Sequence, residues 1–548
     1  MASQNPRVDQ LRDEFGSESA SAAWLLCDRH DPAVVAFTVR RDGTSTELTY
    51  GELRDASLRL AASLRERGIG EGDRVASLVR KGPELVITML AAWRLGAVYV
   101  PLFTAFAEQA IAFRLARADV AVIVTDAAQR PKLDAAQSAS DGASSLLIVN
   151  VDTPSVDGDI AFSDLVRSGD PQYVEPVAQG GLGAIVHTFT SGTTGDPKGV
   201  IHPLSYAAGW DSYLEFGLGV ASDDRFWCAA DPGWAYGLYA GIISPLSRGC
   251  GNILQDGGFS VDETWRILAD HGVTNFAAAP TVYRALRNAP ESIPDRSALR
   301  LQKLSSAGEP LTPEINVWSE EAFGLTVHDH FGQTEVGMVF ANHHHPNLEA
   351  DIIEGSMGQP LPGWTTVVLG ADDQVAAPGE VGRIAIDTAS EFMTFRSYQD
   401  AGKSAKRFTP DGRYFILGDL GRIDDRGYVH FSSRDDDVIL MAGYRIGPFE
   451  VEKVISRHPA VAECAVVAAP DPLRGEVVEA FVVVAGGAAR TSKLADELKA
   501  AVKNGYSAHA YPRTIHFVES LPKTPSGKIQ RFVLREQRRR ELDERAGA

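Results

Sequence analysis

Residues 188–200 have the sequence TFTSGTTGDPKGV, and this stretch decides how the rest of the chain is interpreted. It follows the apolar segment Ala184–His187, which predicts a strand leading into a loop. Small residues let backbone N–H groups and hydroxyls surround a polyanion, and Lys198 adds a positive charge suited to phosphate. The spacing differs from a Walker A loop, because Pro197 and Gly199 flank this lysine. By itself, such a run is also typical of a flexible surface loop.

The composition limits the partners of the chain. Its 548 residues include 53 Lys and Arg against 72 Asp and Glu, a formal net charge of −19. This acidic balance argues against nucleic acid or an anionic membrane as the main partner. An anionic substrate must therefore be held by local basic groups. Hydrophobic residues make up 44% and charged residues 23%, which excludes global disorder.

Targeting and redox signals predict a cytoplasmic protein without membrane insertion. The first ten residues have no apolar core of a signal peptide, and the apolar stretch Val86–Val100 is interrupted by Arg94. The four cysteines lie far apart and form no CxxC pair, which predicts neither disulfides nor a zinc site. The run His343–His345 has no spacing suited to one helix or strand face, so a loop without metal is expected.

Alternating strands and helices predict an α/β fold with two domains. Thr49 and Glu52 form a capping box before a helix, and Val75–Val79 and Val120–Val124 predict buried strands. Such alternation is typical of doubly wound sheets. From about residue 354 to 431 short β segments predict a small β-barrel subdomain. We place the boundary at the polar cluster 432–437, with a large N-terminal domain at 1–435 and a small, mobile α+β C-terminal domain at 436–548.

Six further motifs follow the first one along the chain. They are Ser306-Ala-Gly-Glu-Pro310, His330-Phe-Gly-Gln-Thr-Glu335, Tyr414-Phe-Ile-Leu-Gly-Asp419, Ser433-Arg-Asp-Asp-Asp437, Gly443-Tyr-Arg-Ile-Gly-Pro-Phe-Glu450 and Leu521-Pro-Lys-Thr-Pro-Ser-Gly-Lys528. In this order, and over most of the chain, the set resembles the adenylate-forming superfamily of acyl-CoA synthetases, luciferases and peptide-synthetase adenylation domains. The resemblance is greatest to the acetyl- and medium-chain acyl-CoA synthetases.

The resemblance implies a site for ATP and Mg²⁺. Phe331 offers a flat apolar face to adenine where the family usually has Tyr, and Gly308–Pro310 offer a tight turn for its other side. Glu335 is a hard oxygen ligand for Mg²⁺, Asp419 resembles the ribose ligand, and Arg434 resembles the hinge-side arginine that contacts the nucleotide. The implied nucleotide-binding residues are Thr190, Ser191, Gly192, Thr193, Thr194, Gly195, Lys198, Gly308, Glu309, Pro310, Asp329, His330, Phe331, Gly332, Gln333, Thr334, Asp419 and Arg434.

Lys528 is the principal catalytic candidate, together with Glu335 and Thr190. Adenylation sends a carboxylate against the α-phosphate of ATP, and a positioned lysine stabilises the negative charge that develops. The family's pattern implies that the small domain rotates about the hinge residue Asp436 between two half-reactions. The implied residues for the pantetheine of CoA are Gly443, Tyr444 and Arg445, and Lys503 is a further candidate for a phosphate of CoA.

The acyl pocket is expected around Trp234, Ala235, Tyr236 and Gly237, with Ala307 and Gly332. Acetyl-specific members carry a second Trp at the position of Gly332, and Val at those of Ala235 and Ala307, so a larger pocket is predicted. Tyr236 takes some of that room back. These segments hold no acidic or amide residue to bind an α-amino group, so the resemblance implies a short- to medium-chain acid longer than acetate.

The expected activity is an AMP-forming acyl-CoA ligase that uses ATP, Mg²⁺ and CoA on a small carboxylic acid. An aryl-CoA ligase of the same mechanism, or an adenylation enzyme that loads an acyl carrier protein in trans, is the alternative. A hypothesis from a different functional class is a catalytically silent nucleotide-binding or scaffold protein. The retained Lys528, Glu335 and Asp419 argue against it. Lys528 is also a candidate for acetylation by a lysine acetyltransferase and reversal by a deacetylase, because acetylation removes its charge.

Overall fold

A computed structural model of the chain describes residues 5–134, 146–154, 156–174, 176–190, 197–400, 402, 404–435, 437–441, 444–471, 474–507, 509–524 and 528–547. The described α-helices are Pro6–Gly16, Tyr50–Arg65, Pro83–Arg94, Glu108–Ala118, Phe162–Ser168, Tyr206–Ser212, Ala235–Leu238, Ser244–Arg248, Val261–Asp270, Pro280–Arg287, Pro313–Phe323, Pro448–Ile455, Ser492–Gly505 and Arg531–Gly547. The predicted capping box is present at the start of the second helix, where Thr49 and Glu52 bond reciprocally.

The first strands of the chain form a hairpin, β1 (Val35–Arg41) and β2 (Thr44–Thr49), which lies at one edge of a large sheet. A separate seven-stranded sheet follows, in the order β7-β6-β5-β3-β4-β8-β9. Its strands are β3 (Arg74–Leu78), β4 (Val98–Pro101), β5 (Val120–Thr125), β6 (Leu147–Asn150), β7 (Ile160–Ala161), β8 (Ala184–Thr190) and β9 (Lys198–Pro203). Strands β3 and β5 lie where the apolar runs predict them.

The large sheet has nine strands in the order β16-β15-β14-β13-β12-β10-β11-β1-β2. Its remaining strands are β10 (Phe226–Cys228), β11 (Asn252–Gln255), β12 (Asn275–Ala278), β13 (Lys303–Ala307), β14 (Val327–Gln333), β15 (Gly337–Ala341) and β16 (Gln359–Pro360). Strands β10 to β14 run parallel, so their carboxyl ends meet at one edge of the sheet. Ligands of open α/β sheets bind at that edge.

Two smaller sheets complete the chain. The β-rich segment is an antiparallel sheet of β17 (Thr366–Leu369), β18 (Gly382–Asp387), β19 (Tyr414–Ile423) and β20 (Val429–Arg434). The last sheet contains β21 (Ile439–Met441), β22 (Tyr444–Ile446), β23 (Val461–Asp471), β24 (Gly475–Val484) and β25 (Thr514–Phe517). It has its own apolar core around Val466 and Leu498. The α/β class and the separate C-terminal unit are thereby confirmed, whereas the boundary at 435/436 stays a prediction because Asp436 lies outside the described residues.

Candidate active site

Strand β14 carries the central residues of the predicted nucleotide site. Its pairing with β15 is irregular between Phe331 and Gly332, next to the predicted adenine-stacking position. The half-buried Phe331 ring lies 5.6 Å from the Phe340 ring, centroid to centroid. Preceding it, Asp329 is largely enclosed, and burial raises the pKa of its carboxyl well above the usual range. The strand therefore holds an aromatic face at the end of a parallel sheet.

Two buried donors hold the backbone just before Glu335. The Thr334 carbonyl accepts hydrogen bonds from His202 Nε2, at 2.7 Å, and from the Tyr206 hydroxyl, at 2.9 Å. Burial lowers the pKa of His202 to about 3, so the ring is neutral at physiological pH. Because the carbonyl can only accept, His202 carries its proton on Nε2, and Nδ1 accepts from Tyr239. These contacts fix the backbone direction from which Glu335 projects.

Glu335 is buried and has a defined partner. The Tyr398 hydroxyl donates to its Oε1 at 2.6 Å, while the Lys198 ammonium lies 4.9 Å above the Tyr398 ring. Within the described residues no group of three or more His, Cys, Asp or Glu side chains could hold a metal ion. One carboxylate fits Mg²⁺ when the phosphates of ATP supply further oxygen ligands, which is the usual arrangement for this ion. The sequence did not reveal Tyr398, because it lies outside every motif.

A second carboxylate, Asp419, which is the predicted ribose ligand, accepts hydrogen bonds from two neighbours. Gln333 Nε2 donates to it at 2.6 Å and Arg434 at 3.1 Å, while Arg407 donates to Gln333 Oε1 at 3.0 Å. Burial raises the pKa of Asp419, and the charges of Arg434 and Arg407 oppose that shift. The structure thus brings together three predicted residues from separate motifs. The sequence did not predict Arg407, because this arginine lies in a stretch without a motif.

The predicted turn after β13 is tied to the C-terminal part of the chain. Glu309 accepts from the Thr281 hydroxyl at 2.8 Å and from Arg284 at 2.6 Å. Arg284 also lies 3.6 Å from Glu463 on β23, and Glu463 in turn pairs with Lys523 at 2.7 Å. A chain of alternating charges therefore crosses from the nucleotide turn to the segment that carries Lys528.

Lys528 follows Lys523 by five residues in the chain. Its backbone bonds to Thr524, and its side chain keeps access to solvent. Desolvation nevertheless lowers its pKa, and the carboxylates of Glu309, Asp419 and Glu335 act in the opposite direction. The charges of three predicted site residues therefore act on this ammonium, and its role in adenylation stays a prediction.

The predicted phosphate loop begins and ends in paired strands. Thr190 at the end of β8 is the register partner of Lys198 at the start of β9. Its intermediate residues Ser191, Gly192, Thr193, Thr194 and Gly195 lie outside the described residues. The antiparallel pairing brings both ends of the loop together, so the roles assigned to the loop stay predictions supported by the position of its ends.

The acyl-pocket prediction is changed at Gly332. A Cβ built there would lie 2.4 Å from the Gly337 carbonyl oxygen and 2.5 Å from the Met338 sulfur. Strand β15 already fills that volume, so the structure contradicts the prediction that Gly332 leaves open pocket space. Ala307 is buried at the end of β13, and Ala235 begins a short helix. Of the three predicted substitutions, those at Ala235 and Ala307 stay candidates for enlarging the pocket.

The aromatic residues of the acyl segment face different neighbours. Trp234 packs against Phe103 and Phe106, at 5.4 and 5.3 Å between ring centroids. Tyr236 instead packs near Tyr213, whose hydroxyl lies 2.9 Å from its own. Gly237 borders a small cleft whose lining also includes Cys228 and Ala230. The segment therefore has one aromatic side chain in each of two apolar clusters.

The structure describes only some of the residues predicted to bind CoA. Gly443 lies outside the described residues, and Tyr444 and Arg445 belong to β22, which pairs with β21. Lys503 is exposed near the end of the helix Ser492–Gly505. These roles stay predictions. In the part of the chain that is described, no helix combines the length and apolarity needed to cross a membrane.

Comparison with known proteins identifies the family. A model described as AMP-binding enzyme matches residues 27–398, and one described as AMP-binding enzyme C-terminal domain matches residues 450–528. The acetyl-coenzyme A synthetase of Bacillus subtilis (strain 168) is 33% identical over 524 residues, covering 94% of this chain and 90% of that protein.

Solved structures agree with this assignment. The crystal structure of Brucella canis acyl-CoA synthetase is 40% identical with a TM-score of 0.75, and the match covers 100% of both chains. The anthranilate CoA ligase AuaEII, in complex with anthranoyl-AMP, is 25% identical with a TM-score of 0.85, covering 95% of this chain and 97% of that one. The chain belongs to the AMP-binding enzyme family, among its acyl-CoA synthetases.

Proposed function

We propose that this acyl-CoA synthetase activates a short- to medium-chain carboxylic acid longer than acetate. In the first half-reaction a carboxylate oxygen bonds to the α-phosphorus of ATP, and the bond to pyrophosphate breaks. In the second, the CoA sulfur bonds to the acyl carbon, the bond to AMP breaks, and the thiol proton leaves. The products are acyl-CoA, AMP and pyrophosphate.

One observation supports this proposal most directly: the carboxylates of Glu309, Asp419 and Glu335 all act on the charge of Lys528 and oppose the lowering of its pKa. A cation at this place stabilises charge that develops at the α-phosphate. Phe331 stacks adenine and Asp419 accepts from the ribose hydroxyls. Glu335 would hold Mg²⁺, which when bound neutralises the phosphate oxygens. Catalytic roles for Lys528, Glu335 and Thr190 belong to this proposal.

The acid is proposed from the residues of the acyl segment. Ala235 and Ala307 leave room beyond an acetyl group, although Gly332 adds none. An aryl acid is the second candidate, because a related structure is an anthranilate CoA ligase. We place the enzyme in the cytoplasm, with Lys528 as the site at which an acetyltransferase would switch off adenylation.

The test is AMP release by the purified protein with acids from acetate to octanoate and with benzoate, each with and without CoA. CoA-dependent release that peaks beyond acetate supports the proposal. A peak on acetate contradicts the larger pocket, and a peak on benzoate favours the aryl acid. Acid-dependent pyrophosphate release without CoA-dependent AMP release contradicts the thioester step and favours loading of a carrier protein. Lys528→Ala is the control for release that depends on adenylation.

A further inference from the structure

Three polar side chains connect the predicted acyl segment with strand β14. The hydroxyls of Tyr236 and Tyr213 lie 2.9 Å apart, and the Tyr213 hydroxyl lies 2.8 Å from His330 Nδ1. On its other side, His330 Nε2 lies 3.1 Å from the backbone carbonyl oxygen of Asn342. The groups form a chain of hydrogen bonds from β14 to the acyl segment, and the Asn342 carbonyl oxygen also lies 2.7 Å from His328 Nδ1.

The last group of the chain sets the direction of every proton in it. The Asn342 carbonyl can only accept, so His330 must carry a proton on Nε2. The imidazole is fully enclosed, and burial lowers its pKa well below the usual range, so the ring is neutral and Nδ1 is an acceptor. The Tyr213 hydroxyl therefore donates to Nδ1. Its oxygen then accepts from Tyr236, whose proton is used in that bond.

The Tyr236 oxygen keeps unused capacity as an acceptor only. Among the described residues, the Tyr213 hydroxyl is its one hydrogen-bond partner, and the Tyr236 side chain is only partly buried. A phenol oxygen whose proton is committed can accept a further bond but cannot donate one. The segment that bears it includes Ala235 and Gly237, which the proposed function assigns to the acyl pocket.

We propose that Tyr236 makes the acyl pocket selective for carboxylic acids that carry a hydrogen-bond donor, a hydroxyl or N–H group, on their chain or ring. This proposal rests on the acyl-CoA ligase function and specifies its substrate class. An acid without a donor would leave the remaining acceptor position of the Tyr236 oxygen unfilled and away from water, which disfavours its transition state. An acid with an ether in place of the hydroxyl would bring two acceptors together.

The experiment compares matched acids by ATP–pyrophosphate exchange, which needs no CoA. The sets are butyrate, hydroxybutyrates and methoxybutyrates, and benzoate, hydroxybenzoates and methoxybenzoates, with each substituent position included. For the best position, we expect the hydroxy acid to exceed its unsubstituted and methoxy counterparts in kcat/KM by about tenfold, the effect of one net hydrogen bond.

Two variants test the direction of the protons. Tyr236→Phe removes the acceptor and should bring the hydroxy-to-unsubstituted ratio to about one. Tyr213→Phe removes the group that takes the Tyr236 proton, so Tyr236 becomes free to donate, and methoxy acids should gain relative to the unsubstituted acids. Tyr50→Phe deletes another buried hydroxyl, one that donates to the Leu246 carbonyl, and should leave both ratios as in the parent enzyme. Thermal unfolding confirms that each variant is folded.

The outcomes separate this inference from the proposed function. If unsubstituted acids are preferred at every position, or if Tyr236→Phe leaves the hydroxy preference unchanged, the acceptor role is overturned. If Tyr236→Phe does not fold, the test is Tyr213→Phe. A gain of methoxy acids relative to unsubstituted acids supports the acceptor role, and no gain overturns it. Exchange that occurs without CoA-dependent AMP release contradicts the thioester step while the acid preference is still measured. If no acid of the panel supports pyrophosphate exchange, the proposed function and the acceptor role of Tyr236 are both contradicted.

Discussion

Behind strand β14 the contacts are hydrogen bonds among buried neutral rings, whereas between the turn after β13 and strand β23 they are ion pairs of partly exposed side chains. His202 and Tyr206 hold the Thr334 carbonyl from behind. On the opposite side, Arg284 and Lys523 both contact Glu463, and their side chains stay partly accessible to solvent. The two sides of the site are therefore stabilised by different kinds of interaction.

The difference indicates which side is rigid and which side can separate. Buried polar groups that lose their partners carry a large penalty, so the strand side keeps one arrangement. Ion pairs near solvent contribute about 0–1 kcal/mol each, so the Lys528 side can leave at little cost in free energy. The contrast suits an enzyme in which one face binds the nucleotide throughout and the other face serves only adenylation.

The largest effect is expected from removing the cation on the separable side. Lys528→Ala should lower the adenylation rate by about 10²–10³-fold, because charge that develops at the α-phosphate loses its stabilisation. The reaction of preformed acyl-AMP with CoA should be nearly unchanged. Pyrophosphate exchange and single-turnover thioester formation measure the two steps. Equal loss in both would contradict the comparison, since the lysine would then serve both conformations.

A smaller effect is expected from weakening the rigid side. Tyr398→Phe removes the hydroxyl that donates to Glu335, which should raise the Mg²⁺ concentration for half-maximal adenylation by about 10- to 100-fold. A magnesium titration of pyrophosphate exchange measures it. Tyr428→Phe is the matched control, since its hydroxyl donates to the distant Asp351 carbonyl. An unchanged magnesium requirement in Tyr398→Phe would show that this hydrogen bond does not position the carboxylate.

Loss of the ion pairs that Glu463 makes with Arg284 and Lys523 should change the adenylation rate only a few-fold. Glu463→Gln removes the carboxylate shared by Arg284 and Lys523, and we expect adenylation at low salt to fall by about two- to fivefold. At high salt, parent and variant should converge because the pairs are screened. Glu519→Gln is the control, since its partner Arg490 lies in the same part of the chain. A deficit that persists at high salt would assign Glu463 a structural role instead.

The smallest expected effect is a displacement of the alkaline pH limit of adenylation. Desolvation lowers the pKa of Lys528, so its cationic form is lost at a lower pH than for a free lysine, whose pKa is about 10.4. Adenylation should therefore decline as pH rises through that lowered pKa. Lys528→Arg retains its charge to higher pH and should move the limit upward, whatever its rate. A limit at the same pH in both proteins would assign it to another group.

The motifs predicted most of the site because each combines a turn with a chemically distinctive residue. Asp419, Gln333 and Arg434 come from separate motifs and meet in one hydrogen-bonded group. Likewise, the capping box at Thr49 marked a helix start that depends only on neighbouring residues. Such features are local, and local sequence is sufficient to specify them.

The remaining features depend on tertiary neighbours that no local pattern contains. Tyr398 and Arg407 reach Glu335 and Gln333 from a stretch without a motif. The helix Arg531–Gly547 likewise includes a buried residue, Arg538, paired with Glu479 on β24. Which face of a long helix meets a sheet is set by packing, so the sequence alone could not single out that arginine.

The close approach at Gly332 also limits how this enzyme could evolve. A side chain at that position meets the Gly337 backbone and the Met338 side chain. The Met338 thioether is flexible and could be shortened by one substitution, but the Gly337 carbonyl moves only if the strand moves. A bulky residue at 332 would therefore be tolerated only after earlier changes in β15. The route to a pocket closed by tryptophan is thus a sequence of substitutions in a required order, and no single mutation completes it.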